Sequence, residues 1–238
     1  MSITYDILLP IFNKFGVCFS GGTATALRKS AVLEVGGFNE NSLTEDADIS
    51  IKIMSKGYKA IYVSDLSAKG EVPFRLNYFL RQQRRWSYGM VRTFIDNFNL
   101  IFFSKSLSIL QKILIFFITF FSYLLQPAIL IFFIFGQIAF VTGSPKPITL
   151  EDVKVFTTTW IITSGFLAAC ILACLKTKRI NPLEIILPSI FLGIICLFNN
   201  TFSFVKALFK MEKFWFKTPK VGNIKIIKKV LNISIREL

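Results

Sequence analysis

The sequence predicts a mixed α/β polar half over residues 1–98, followed by an all-α membrane domain of about three transmembrane helices. Three observations predict it. The 238 residues are 53% hydrophobic and include 27 Phe, too apolar for a disordered chain or an ordinary soluble globule. Blocks 113–141, 155–175 and 185–205 carry no charged residue over 29, 21 and 21 positions, and a spanning helix needs about 20. Residues 1–112 hold 14 basic and 9 acidic side chains, with apolar residues at helical and strand spacings.

Taken in order, Val17–Ser20 is a short strand candidate closed by Gly21-Gly22. Ala24–Val35 has helical composition and meets a stop signal at Gly36-Gly37. Asn39–Ser42 is a polar turn. Thr44 is a good N-cap for a helix whose first turn carries Glu45 and Asp46, and which stops at Gly57. Tyr58–Ser64 alternates like a strand. A further helix runs from about Phe74 through Trp86. Leu100–Lys112 mixes Phe, Leu and Ile with Lys105 and Lys112, which suits an amphipathic helix at a membrane surface, residues 99–112.

The first apolar block is longer than one upright span requires, and Pro127 is expected to break it. No signal peptide is expected ahead of it. The 142–154 loop reads as external and the 176–184 loop, with Lys176, Lys178 and Arg179, as cytoplasmic. Three full spans would then put the tail outside. Yet the 206–238 tail holds 9 basic and 2 acidic residues, which belongs on the cytoplasmic side. The expectation is that the block broken at Pro127 does not make a simple single pass.

Composition also excludes. The chain has no His, so imidazole triads, zinc sites and proton relays cannot be built within it. Its four Cys have no metal or disulfide spacing, and Cys170 and Cys174 sit in an apolar run. The net charge of +14 with a basic tail beside apolar blocks fits anionic lipid, and no nucleic-acid motif is present.

Three local features could carry chemistry. Thr44-Glu45-Asp46 is either an ordinary acidic helix start or a general base for a hydroxyl proton. Gln82-Gln83-Arg84-Arg85-Trp86 is either a charged interfacial helix or a diphosphate and sugar site, since Arg forks match phosphate oxygens. Gly21 and Gly22 would let backbone approach a ligand closely.

Together these residues resemble the processive family 2 glycosyltransferases: cellulose, chitin and hyaluronan synthases and their cellulose-synthase-like relatives. Asp46 and Gln82 are separated by 35 residues, and Gln82-x-x-Arg85-Trp86 closes the signature. Phe19-Ser20-Gly21-Gly22, Arg28-Lys29, Glu34-Val35-Gly36-Gly37-Phe38, Asn199-Asn200 and Phe216-Lys217-Thr218-Pro219-Lys220 are similar to the same family. The resemblance covers roughly residues 15–222, in order.

It implies a GT-A-like catalytic fold, of which residues 1–98 would be the second half. Asp46 would be the catalytic base. Gly21, Gly22, Thr44, Glu45, Gln82, Arg84 and Arg85 would bind donor or acceptor, and Trp86 would stack on the acceptor sugar. Thr218 and Lys220 resemble a loop that closes over the nucleotide, although Lys217 and Trp215 depart from its pattern. The resemblance further implies a nucleotide-sugar donor (UDP- or GDP-sugar), a saccharide acceptor and inverting transfer. The setting would be a multi-pass plasma-membrane protein with its catalytic part cytoplasmic.

A Mg2+ or Mn2+ ion is implied too, but its ligands are expected to be missing from this chain. Asp46-Ala47-Asp48 has the spacing of an Asp-x-Asp pair, yet the Thr-Glu-Asp context assigns Asp46 to the base. The chain therefore reads as the C-terminal piece of a split or truncated enzyme, with a second chain as a candidate partner supplying the nucleotide-binding half. The alternatives are an inactive membrane fragment and a transporter- or channel-like subunit.

Overall fold

The computed structural model describes residues 8–22, 24–63, 73–143, 149–151, 154 and 182–211. Eight α-helices are named here: α1 Leu9–Lys14, α2 Lys29–Glu34, α3 Glu45–Ser55, α4 Leu76–Asp96, α5 Phe98–Phe103, α6 Ile109–Phe116, α7 Ser122–Thr142 and α8 Pro182–Leu208. A π-helical turn, Phe117–Phe121, joins α6 to α7.

No strand occurs among the described residues, which corrects the α/β expectation for Val17–Ser20 and for 58–63. A strand exists only when its backbone groups pair in a ladder. Here those groups pair elsewhere. The Val17 amide donates to the Phe12 carbonyl (3.0 Å), Ser20 N–H to Ser50 Oγ (2.9 Å) and Tyr62 N–H to Asn13 Oδ1 (2.9 Å). Ser64 lies outside the described residues, as do 155–175, Thr218, Lys220 and most of the basic tail.

The helix between the two Gly pairs starts at Lys29 rather than Ala24. Ser20 and Thr25 share a side-chain hydrogen bond (3.1 Å) and Ala24 has φ +55°, so this stretch belongs to the loop. Its end falls where the sequence puts it. The Gly37 amide donates to the Val32 carbonyl, and Gly36 and Gly37 take φ of +83° and +79°, the left-handed turn that Gly adopts without strain.

Helix α4 overshoots Trp86 by ten residues. Tyr88, Val91 and Phe94 continue its apolar face, and all three are buried. The stretch Leu100–Lys112 is two helices rather than one. Ser108 and Gln111 form a reciprocal capping box that starts α6 afresh, and Lys112 Nζ reaches back to the Phe102 carbonyl (2.7 Å).

Pro127 sits inside α7 and does not break it. A proline forfeits one backbone hydrogen bond, which a helix packed on a neighbour accommodates. The irregularity lies earlier, in the π turn Phe117–Phe121, where the buried Thr119 hydroxyl donates to the Ile115 carbonyl (2.6 Å). The turn brings Phe116 and Phe120 onto Phe94 (5.4 and 5.2 Å between ring centres) and Phe120 onto Phe204.

The core crosses from the polar half into the apolar one. Val17, Ile51, Met54, Phe94, Ile101, Leu107 and Ile115 form one cluster, and Tyr88, Val91, Phe204 and Ala207 a second. Among the described residues two helical segments, Ile109–Ile138 and Phe191–Leu208, are long and apolar enough to cross a membrane. A core helix of a soluble protein would be mostly buried, whereas 17% and 28% of these windows are. Phe132 and Phe135 are 81% and 66% exposed.

Candidate functional site

The site is built where the start of α3 meets the middle of α4. Thr44 is buried at the N-cap position, but its hydroxyl does not cap the helix. It pairs with Thr93 Oγ1 on α4 (3.0 Å). The unpaired amides of a helix start still need acceptors, and Asp46 supplies one: its Oδ1 accepts the Ala47 amide at 2.9 Å. That bond fixes the carboxylate against its own helix.

Gly89 lets the two helices approach this closely. A Cβ on Gly89 would lie 2.5 Å from Thr44 Cγ2. One turn further along, the buried Asp48 carboxylate accepts from Asn97 Nδ2 (2.7 Å) and pairs with Lys52 (2.7 Å). Asp46 and Asp48 therefore serve different partners, and the Asp46-Ala47-Asp48 spacing does not produce a pair of metal ligands. Among the described residues no group of three or more Cys, Asp or Glu is assembled. These residues do not fit a divalent ion.

On its other side Asp46 faces the Gly-Gly loop. A Cβ on Gly22 would lie 3.1 Å from Asp46 Oδ2, and Gly22 has φ +76°. The loop is tied to α3 by a short chain of bonds. Ser50 Oγ donates to the Asp46 carbonyl (2.6 Å) and accepts the Ser20 amide, while Ser20 Oγ accepts the Gly22 amide (3.2 Å). Gly21 and Gly22 are both exposed, so the carboxylate opens to solvent beneath a backbone that bears no side chain.

Burial pushes the Asp46 carboxyl above its ordinary value, and the charge of Glu45 adds to the shift. The Ala47 amide and the Arg85 guanidinium pull the other way and do not cancel it. A carboxylate with a raised pKa is a better proton acceptor at neutral pH.

Helix geometry sorts the predicted residues of α4. At about 100° per residue, Gln82, Arg85 and Trp86 fall within roughly 60° of Gly89, on the face turned to α3, while Arg84 lies about 140° away. Gln82, Arg85 and Trp86 are half-buried. Arg84 belongs to the opposite contact: its Nε donates to Asn199 Oδ1 on α8 (3.1 Å). Asn199 Nδ2 in turn donates to the Leu80 carbonyl (3.0 Å) and to Asn200 Oδ1 (3.0 Å), and Ser87 Oγ donates to the Asn200 carbonyl (3.2 Å). The structure thus brings Gly22, Thr44, Asp46 and Arg85 together with Gln82 and Trp86 on the adjoining face, and turns Arg84 to α8.

Gly89 and Thr93 escaped sequence reasoning. One signal was available: a glycine mid-helix costs about 1 kcal/mol relative to Ala, and a close helix contact is the usual reason to keep one.

The model of the family described as "Glycosyl transferase family group 2" matches residues 7–176. Glucomannan 4-beta-mannosyltransferase 1 of Oryza sativa subsp. japonica is 36% identical over 116 residues, covering 48% of this chain and 22% of the relative. Glucomannan 4-beta-mannosyltransferase 7 of Arabidopsis thaliana is 27% identical over 227 residues, 91% of this chain and 38% of the relative. The chain spans well under half the length of these relatives.

Proposed function

The chain belongs to the glycosyl transferase family group 2, and from that premise we propose that it is a membrane-embedded part of an inverting glycosyltransferase. It takes a sugar from a nucleotide-sugar donor to a saccharide acceptor. The relatives' names make mannosyl transfer the first reaction to test. The donor-binding part, with any metal, lies in a longer form of the protein or on a second chain. The whole sits in the plasma membrane with the catalytic face cytoplasmic. The weak burial and apolar surface of the Ile109–Ile138 and Phe191–Leu208 segments support the membrane setting.

Asp46 is the base. The acceptor hydroxyl oxygen attacks the anomeric carbon and its proton passes to the Asp46 carboxylate. The bond to the diphosphate breaks with its electron pair, so the nucleoside diphosphate leaves and the configuration inverts. Arg85 stabilises the negative charge that develops, Gln82 orients the sugar, and the Trp86 indole stacks on the acceptor ring. Thr44 and Glu45 hold the base, Gly21 and Gly22 admit the acceptor, and Thr218 and Lys220 close over the nucleotide. Arg84 acts from the side of α8.

The observation that carries this reading is the carboxylate of Asp46, raised in pKa, beside Arg85 and under Gly22. Asp46→Asn in membranes supplied with the donor-binding half should cut incorporation of radiolabelled sugar from UDP- or GDP-sugars by about 10²–10⁴-fold, the usual share of a general base. Undiminished transfer would remove Asp46 from the mechanism. The second reading, a catalytically inactive membrane fragment, expects no transfer from the wild-type chain with any donor-binding half supplied.

A further inference from the structure

Below the α3–α4 seam, at the far end of α3, a cleft of about 300 Å³ is lined by Ser55, Lys56, Asn99, Phe103, Ser104 and Lys105. Its walls are fixed. Ser104 Oγ donates to the Ser55 carbonyl (2.8 Å), Ser104 Oγ accepts the Ser106 amide (3.2 Å), and Ser106 packs 3.4 Å from the Cβ position of Gly57, itself at φ +90°. Lys56 and Lys105 are both exposed, and among the described residues neither has a carboxylate within ion-pair distance. Lysines beside helix C-termini compensate the negative helix end. That alone gives no reason for a hollow between two of them, or for Phe103 standing 78% exposed at its edge. The apolar surface continues along the chain through Ile109 (79% exposed), Leu110, Ile113 and Phe117, into the segment long enough to cross a membrane.

We propose that this cleft binds the headgroup of an anionic phospholipid, its phosphate between Lys56 and Lys105 and its acyl chains over Phe103 and the α6 surface. The occupant is a lipid rather than free phosphate because the chain runs from the cationic pair into an exposed apolar strip, and an anionic lipid engages both where phosphate engages only the lysines. The inference rests on the membrane setting proposed above.

The test uses the full chain in detergent. Thermal unfolding is followed on titration with dioctanoyl phosphatidylglycerol, dioctanoyl phosphatidylcholine or inorganic phosphate, for the wild type, for Lys56→Gln/Lys105→Gln, for Phe103→Ala and for the charge-matched control Lys14→Gln/Lys29→Gln. Phosphatidylglycerol should raise the wild-type and control midpoints. Its apparent affinity should fall roughly 30-fold in the Lys56/Lys105 variant, as expected for about 1 kcal/mol per lysine at a membrane anion. It should also weaken in Phe103→Ala. Equal shifts with phosphatidylcholine, an equal shift with phosphate alone, an unchanged response in the lysine variant, or no wild-type response would each overturn the proposal. Carbonate extraction of the same membranes separates the two levels. A chain released by carbonate refutes the membrane setting and the lipid site with it, whereas a retained chain without phosphatidylglycerol selectivity refutes the site alone.

Discussion

Asp46 is held by two opposing influences. The first turn of α3 and the Ala47 amide favour its anion, while burial and Glu45 disfavour it, and burial prevails. A raised carboxyl pKa means that the folded protein binds this proton more tightly than the unfolded chain. The stability it confers is full below the unfolded value, near 3.8, and is lost as pH rises through the folded one. Asp46→Asn should therefore raise the unfolding midpoint relative to wild type at pH 7, even as it cuts the proposed transfer, and the gain should vanish near pH 3. The acid limb of the wild-type pH–rate profile should be displaced upward from that of an ordinary aspartate. Gly22 makes the complementary case. Gly22→Ala should lower the midpoint and slow transfer, because φ +76° costs an L-residue about 1–2 kcal/mol and the new methyl would press on Asp46 Oδ2.

At the scale of elements the decisive unit is α4, gripped on one side by α3 and on the other by α8. Gly89→Ala should destabilise the protein even though Ala is the better helix former, since its methyl meets Thr44. Adding Thr44→Ala should recover part of the loss, a non-additivity that a double-mutant cycle in thermal unfolding would read. Asn199→Ala should cost about 0.5–1.5 kcal/mol by removing its bonds to Arg84 and the Leu80 carbonyl.

Much of this is local enough to be legible in the sequence. The start of α3 at Thr44, its stop at Gly57, the glycine end of α2 and the long apolar stretches follow from nearest neighbours. The expected strands at Val17–Ser20 and 58–63 did not appear, because alternation states a preference and pairing decides the outcome. The Arg84–Asn199 bond joins positions 115 residues apart, and the Thr44–Gly89 contact needs both helices in place. The π turn was hidden for another reason: Pro127 carries the sequence signal for a break, while Phe117–Phe121 carries the tertiary demand for one, the stacking of Phe116 and Phe120 on Phe94.

For the whole molecule the medium decides what a substitution does. Phe132 is 81% exposed on α7. In water Phe132→Arg would be neutral or improve solubility. In a bilayer the arginine costs about 2.5–3.5 kcal/mol at mid-depth, so the proposed setting expects the variant to lose carbonate-resistant membrane association.

The grip of α8 on α4 also sets an order of events. A ribosome releases Arg84 and Ser87 more than a hundred residues before it releases Asn199 and Asn200, the groups that hold them. Until then the nascent chain carries Asp46 and Arg85 without the clamp that fixes their helix. The full support of α4 thus arrives only with α8, and a message cut short before it yields a polypeptide that contains Asp46 and Trp86 yet lacks the side chains that grip the far face of their helix.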